Sequence, residues 1–124
     1  MKEWNTDKLI EAGYKIENAK ITSVDLSMED HGVLCLSMGL DGESWGCVYG
    51  GYVLGKGYVG AKEFSGTEQG IESIMRIMDT VGVSRFNDME NKIIRVANKG
   101  WGSLIKIIGN VIEDKWFDAE TFYK

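Results

Sequence analysis

Large apolar residues recur at every second position in Leu34, Leu36, Met38 and Leu40, with smaller residues between them. That period of two predicts a strand with one buried face. Asp41-Gly42 follows as a hairpin signal, and "ESWGCVYGG" reads as the return strand. A two-residue loop there would set Cys35 opposite Val48 and Cys47 opposite Leu36, with the sulfurs on opposite faces, so no disulfide is expected. Upstream, Tyr14 to Met28 carries β-prone Ile16, Ile21, Thr22 and Val24 without a helical period, and "MEDHG" ends it as a turn. Earlier still, Asp7 to Ala12 with Leu9 and Ile10 predicts a short helical arm, about 1–13, closed by Gly13.

Downstream of the hairpin, Ser65 and Glu68 have the spacing of a capping box for the main helix, about 65–81. Ile71, Ile74, Met75, Met78 and Val81 form its apolar stripe, and Gly82 closes it as a left-handed cap. "SRFNDMEN" reads as a connecting turn or a single helical turn, packing Phe86 and Met89. "KIIRVAN" and "SLIKIIGNVI" read as two strands around a "KGWG" turn, and "EDKWFDAETFYK" offers Trp116, Phe117 and Phe122 to cover an open edge or another subunit. Strands, one long helix, then strands again predict a single α+β domain over 1–124: a largely antiparallel β-sheet with one main helix packed on it.

Composition narrows the functional classes. With 124 residues, 44% of them hydrophobic, the chain can build one core. Its apolar runs fall far short of the ~20 residues needed to cross a bilayer. The start "MKEWNTDKLIEAG" is polar rather than signal-like, so a cytoplasmic protein without a membrane partner is expected. Two cysteines are too few for a disulfide scaffold and read as reduced core residues. Proline is absent and glycine occurs 16 times, so turns fall to Gly, Asn and Asp.

The net charge of -5 argues against DNA or RNA as a partner. Charge is unevenly spread, however. No acid occurs from Ser44 to Ala61, and none from Asn91 to Ile112, a stretch that carries Lys92, Arg95, Lys99 and Lys106. Should the two stretches meet, an otherwise acidic protein would have one local site able to admit a small anion; chance clustering on solvated strands is the alternative.

Catalytic constellations are not evident. His31, the single histidine, stands in a turn without a zinc-ligand spacing or a nucleophile and acid around it, and no carboxylate pair is marked out for acid–base work. A non-enzymatic protein without cofactor or metal is expected. Gly55, Gly57 and Gly60 have the spacing GxGxxG, but the helix starts too late and the strand order is wrong for a dinucleotide fold. Exposed N–H groups in "YGGY" or "GKGYVG" could form an anion nest, or could simply mark hairpin ends and bulges. Trp45, Tyr49, Tyr52, Tyr58 and Trp101 lie in or beside the acid-free stretches, where their rings would stack on a base or pack a core. Arg95, between Ile94 and Val96, would aim into a groove or lie on an exposed face. Arg76 faces away from the apolar stripe, with Glu72 one turn earlier as a routine partner, unless a second subunit meets that face.

Taken in order, "MEDHGVLCLSMGLDGESWGCVYGGYVLG", "GIESIMRIMDTVGV", "IIRV" and "IGNVIEDKWFD" resemble the phage-encoded Thoeris anti-defence sponge proteins of the first type, from about Lys15 to Asp118. The resemblance implies a protein of the infected bacterial cytoplasm that sequesters TIR-derived cyclic ADP-ribose isomers, glycocyclic ADP-ribose among them, without cleaving them. The downstream effector is thereby denied its signal. It also implies cyclic oligonucleotides as ligands of some relatives, and homo-oligomers, dimers or higher, with pockets between subunits. Residue by residue it carries over Tyr49, Gly50 and Gly51 of "VYGGY" to base and backbone contacts, and Arg76 of "MRIM" to the pyrophosphate. Tyr49 stands where many relatives have Phe. Tyr52, Arg95, Lys99 and Trp101 complete the candidate ligand set from the residues themselves. Two rival functions remain open: a hydrolase of cyclic nucleotide messengers, and an inhibitor that binds a host defence protein directly.

Overall fold

In the computed structural model, which describes residues 1–124 apart from the side chain of Asp30, the alternating segments join one antiparallel sheet. A helix, α1 (Thr6–Glu11), leads into β1 (Lys15–Asp30), β2 (Val33–Asp41), β3 (Gly46–Lys56) and the two-residue β4 (Ser65–Gly66). The main helix α2 (Glu68–Val81) and a 3₁₀ turn (Phe86–Met89) precede β5 (Ile93–Asn98), β6 (Ile107–Gly109), β7 (Trp116–Asp118) and α3 (Ala119–Phe122). The strand order is β4-β3-β2-β1-β5-β6-β7. The protein is thus an α+β domain with one main helix on a largely antiparallel sheet, as the order of patterns predicts.

Period two sorts the side chains onto two faces. Ala19, Ile21, Leu36, Met38, Leu40, Ile94, Val96, Ile108 and Phe117 enter the main core, which α2 covers with Ile77 and Val81. Their neighbours Ala97, Ile107 and Trp116 point the other way and meet Leu9 of α1, together with Trp4, Tyr14 and Ile16. Helix α2 lies very close to the sheet because residue 70 is glycine: a Cβ there would come within 2.8 Å of the Leu54 backbone. Ser73, one turn on, is buried and accepts a 2.6 Å hydrogen bond from the Tyr123 hydroxyl.

Several expectations need correction. The β2–β3 loop spans Gly42 to Trp45, not two residues, and Asp41 pairs with Gly46. Glycine at 42 makes this possible, since a Cβ there would sit 2.1 Å from the Trp45 ring that folds over it. Cys47 therefore lies opposite Leu40, and irregularities further along set Cys35 opposite Val53; both cysteines are thiols. Helix α2 starts at Glu68 rather than near 65, because Thr67, not Ser65, is the cap, its side chain accepting from Gly70 N–H at 2.9 Å. Ser65 pairs with Lys56 in β4. The stripe facing the sheet is Gly70, Ser73, Ile77, Thr80 and Val81, which leaves Ile71 and Met75 exposed. Beyond Gly109 the strand stops, as Asn110 Oδ1 accepts from Ile112 N–H and Glu113 N–H and turns the chain. Finally, Trp116 and Phe117 do cover an edge, that of β6, by pairing with it as β7, and with Phe122 their rings are buried in this chain's own interior.

Candidate functional site

The two acid-free stretches do meet. Strand β1 is longer than β2, and their pairing ends at Lys20 and Asp41, so residues 15–19 have β5 on one side and no β2 on the other. The hairpin loop curls over that gap from one side and the β5–β6 loop closes it from the other. Between them lies an open groove of about 650 Å³. Its walls are Ser44, Trp45, Gly46 and Cys47 from the hairpin and Asn98, Gly100, Trp101, Gly102, Ser103 and Ile105 from the later loop, with Lys15 and Glu17 along the floor.

Electrostatically the groove is mild for an acidic protein. Glu17 is the one carboxylate among the described residues lining it, and it is already engaged: it accepts from Asn98 Nδ2–H at 2.8 Å and lies 3.8 Å from the Lys15 ammonium. Asn98 also accepts from Gly100 N–H at 2.9 Å, fixing the base of the loop. Burial pushes the Cys47 thiol up, which keeps it protonated and poorly nucleophilic. Among the described residues, no group of three or more His, Cys, Asp or Glu could hold a metal ion.

The candidate residues named from the sequence do not share one site. Trp101 is fully exposed at the rim of the groove, whereas Lys99, two residues earlier, lies outside the groove lining with its ammonium 4.6 Å from the centre of the Tyr14 ring. Tyr49 is enclosed in the core at 1% exposure, its hydroxyl donating to the Lys106 carbonyl at 3.3 Å, and burial pushes its phenol well above the ordinary range. Gly50 and Gly51 carry positive φ angles and form a bulge in β3; a Cβ on Gly50 would strike the Leu36 carbonyl oxygen at 2.4 Å. Tyr52 is half-buried and stacks on Tyr123, ring centres 4.6 Å apart and planes 8° from parallel. Burial raises its phenol, with the nearby Lys106 pulling the other way.

The two arginines have separate surroundings. Arg76 lies on the outer side of α2, paired with Glu72 at 2.6 Å, beside a smaller cleft that also includes Trp4, Asp79 and Lys115. Arg95 points to the second face. It donates to the carbonyls of Asn110 at 2.7 Å and Glu113 at 2.8 Å, and its guanidinium lies 4.8 Å from the centre of the Trp116 ring. It neither enters the groove nor stands free on a surface, and its contacts pin the 110–113 turn.

Trp45, Lys15, Glu17, Asn98 and Ser103 enter the site through the register of β1 against β5 and through the length of the hairpin loop. The acid-free composition and the tryptophans were legible signals for Trp45 and Trp101; the pairing of Lys15 with Asn98 is a long-range contact without a local sequence signature. Compared with family models, with curated proteins and with solved structures, the chain finds no match.

Proposed function

We propose that this chain is a binding protein that sequesters cyclic ADP-ribose isomers intact, and so blocks the Thoeris response that depends on them. The observation that carries the reading is the convergence of two carboxylate-free stretches on one groove bordered by two tryptophans. A cyclic ADP-ribose needs room for its one purine, aromatic faces for it, and no repulsion of its pyrophosphate. A groove of about 650 Å³ lies within the usual size of small-molecule sites. Its single lining carboxylate is held by Asn98 and Lys15. The resemblance of the ordered segments to the sponge proteins supplies the ligand's identity and extends it to cyclic oligonucleotides as a second class.

In this reading the protein works as a homo-oligomer. Ile71 and Met75, 59% and 65% exposed, flank Arg76 on the uncovered side of α2 and give a second copy an apolar surface to bury. Arg76 then comes to the ligand from that second copy, because in its own chain it faces another cleft.

Retention tests the function. The protein is incubated with cyclic ADP-ribose isomers, freed of unbound ligand and heated, and the released molecule is identified. An intact ring is expected. A linear product would make the protein a hydrolase, and no retained nucleotide would point to a protein target instead.

A further inference from the structure

We infer that Trp101 is a hinged clamp that closes over a planar purine ring in the groove, with Trp45 as the fixed wall; this rests on the nucleotide reading above. The chain's four tryptophans are held very differently. Trp4 and Trp116 donate their indole N–H groups to Asp118 and Asp114 at 2.9 and 2.7 Å. Trp45 is half-buried against the main core, wedged over Gly42, with its Nε1 buried. Trp101 is exposed over its whole surface, as completely as in an extended chain.

An indole left entirely in water forgoes the largest apolar burial of any side chain, and a flat ligand beside it would recover that burial. The backbone around Trp101 is built to let it move. Gly100 and Gly102, on either side, have φ angles of +128° and +84°, and a Cβ on either would meet nothing within 4 Å. The loop is therefore not glycine-rich for lack of space; glycine supplies backbone conformations and freedom that other residues lack. Its base is fixed all the same, by Gly100 N–H on Asn98 and by Ser103 N–H on the Gly100 carbonyl at 3.1 Å. A short segment anchored at both ends and free between them can swing its one large ring toward the groove that it already lines.

The partner ring is a purine on three grounds. Stacking on an indole suits any flat heterocycle, the fixed Trp45 offers the second aromatic wall, and the charged groups of the lining, Lys15 and Glu17, lie 3.8 Å apart and offset each other, so the space between the indoles favours a flat base with no net charge. The clamp recognises the base alone. It therefore contributes affinity to linear and cyclic nucleotides equally, and discrimination by ring closure arises elsewhere in the pocket.

The full chain, its Trp101→Ala variant and its Trp101→Phe variant are titrated with adenosine monophosphate and with cyclic ADP-ribose. Dissociation constants come from calorimetry and indole emission is followed in parallel. In the parent, emission is expected to move to shorter wavelength on binding, and this shift should shrink in Trp101→Phe while affinity stays within a few-fold. Trp101→Ala should weaken both ligands by about tenfold or more, with an unchanged melting temperature because the side chain supports nothing in the fold. A Trp101→Ala variant that binds cyclic ADP-ribose as tightly as the parent overturns the clamp and leaves sequestration standing. Tight binding of adenosine monophosphate with no binding of the cyclic ligand leaves the clamp standing and overturns the proposed ligand. A parent that binds neither overturns both.

Discussion

Arg95 and Arg76 carry the same charge and call for opposite expectations. Arg95 is committed to two backbone carbonyls and the face of Trp116, so Arg95→Ala should cost about 2 kcal/mol of stability, measured by urea unfolding, whether or not a ligand is present. Arg76 has an exposed pair with Glu72 and a long approach to the Phe122 ring, 5.7 Å to its centre, and losing both should change stability by less than about 1 kcal/mol. Retention of the messenger should nevertheless fall about tenfold or more in Arg76→Ala if its guanidinium meets phosphate. Equal stability losses for the two variants, or unchanged ligand affinity in Arg76→Ala, would contradict this division. From the sequence the two side chains could be assigned to strand and helix but not to tasks. The carbonyls that Arg95 engages lie 15 and 18 residues away, in a turn made by Asn110. Tyr49 illustrates the same limit: its place in the chain left a stacking face and core packing both open, and its neighbours across β2 and beneath α2 enclose it.

Among the elements, those with strong local codes were legible and those depending on distant partners were not. The arm ended by Gly13, the alternation in β2 and the Gly82 cap all follow from short-range rules. The hairpin loop did not, since an Asp-Gly pair favours a two-residue turn and only the fit of Trp45 over Gly42 selects a longer one. Of the apolar stripe of α2, Ile74, Met78 and Val81 pack on the core, but Ile71 and Met75 do not, because Gly70 and Ser73, small rather than hydrophobic, are what allow helix and sheet to touch. Helix α1 has its own pH dependence. Asp114 accepts from the Trp116 indole at 2.7 Å and from the Thr6 N–H and hydroxyl at 2.8 Å, and these bonds hold its carboxyl below the ordinary value of 3.8. A depressed folded pKa contributes stability above the unfolded value, and that contribution is lost as pH falls through the folded one. The arm should therefore stay docked at neutral pH and loosen below 3.8, ahead of the core. Amide exchange of α1 relative to β2, corrected for intrinsic rates, checks this, and Asp114→Asn should show the loosened arm at neutral pH. Equal relative protection across that range would contradict it.

At the scale of the whole molecule, the sheet is a frame that brings residues 44–47 and 98–105 to opposite sides of one groove. Fold class followed from the order of patterns, and the meeting of two acid-free stretches was anticipated as a condition that the β1–β5 register then fulfils. The late aromatics, by contrast, looked like an interface because nothing local indicates that Trp116 and Phe117 form a third short strand beside β6. With those rings inside, Ile71 and Met75 on the exposed side of α2 are the surface proposed for self-association. Met75→Glu should therefore shift the protein toward monomer in sedimentation at low micromolar concentration without lowering its folding stability, since Met75 is 65% exposed. A parent that is already monomeric with ligand bound would contradict the shared pocket. Sequestration itself is tested most directly by calorimetric titration of the full chain with a cyclic ADP-ribose isomer, followed by recovery of the ligand. The account predicts saturable, stoichiometric binding with a dissociation constant of about a micromolar or below and an unaltered ring after release; an absence of saturable binding, or a ring opened by the protein, would contradict it.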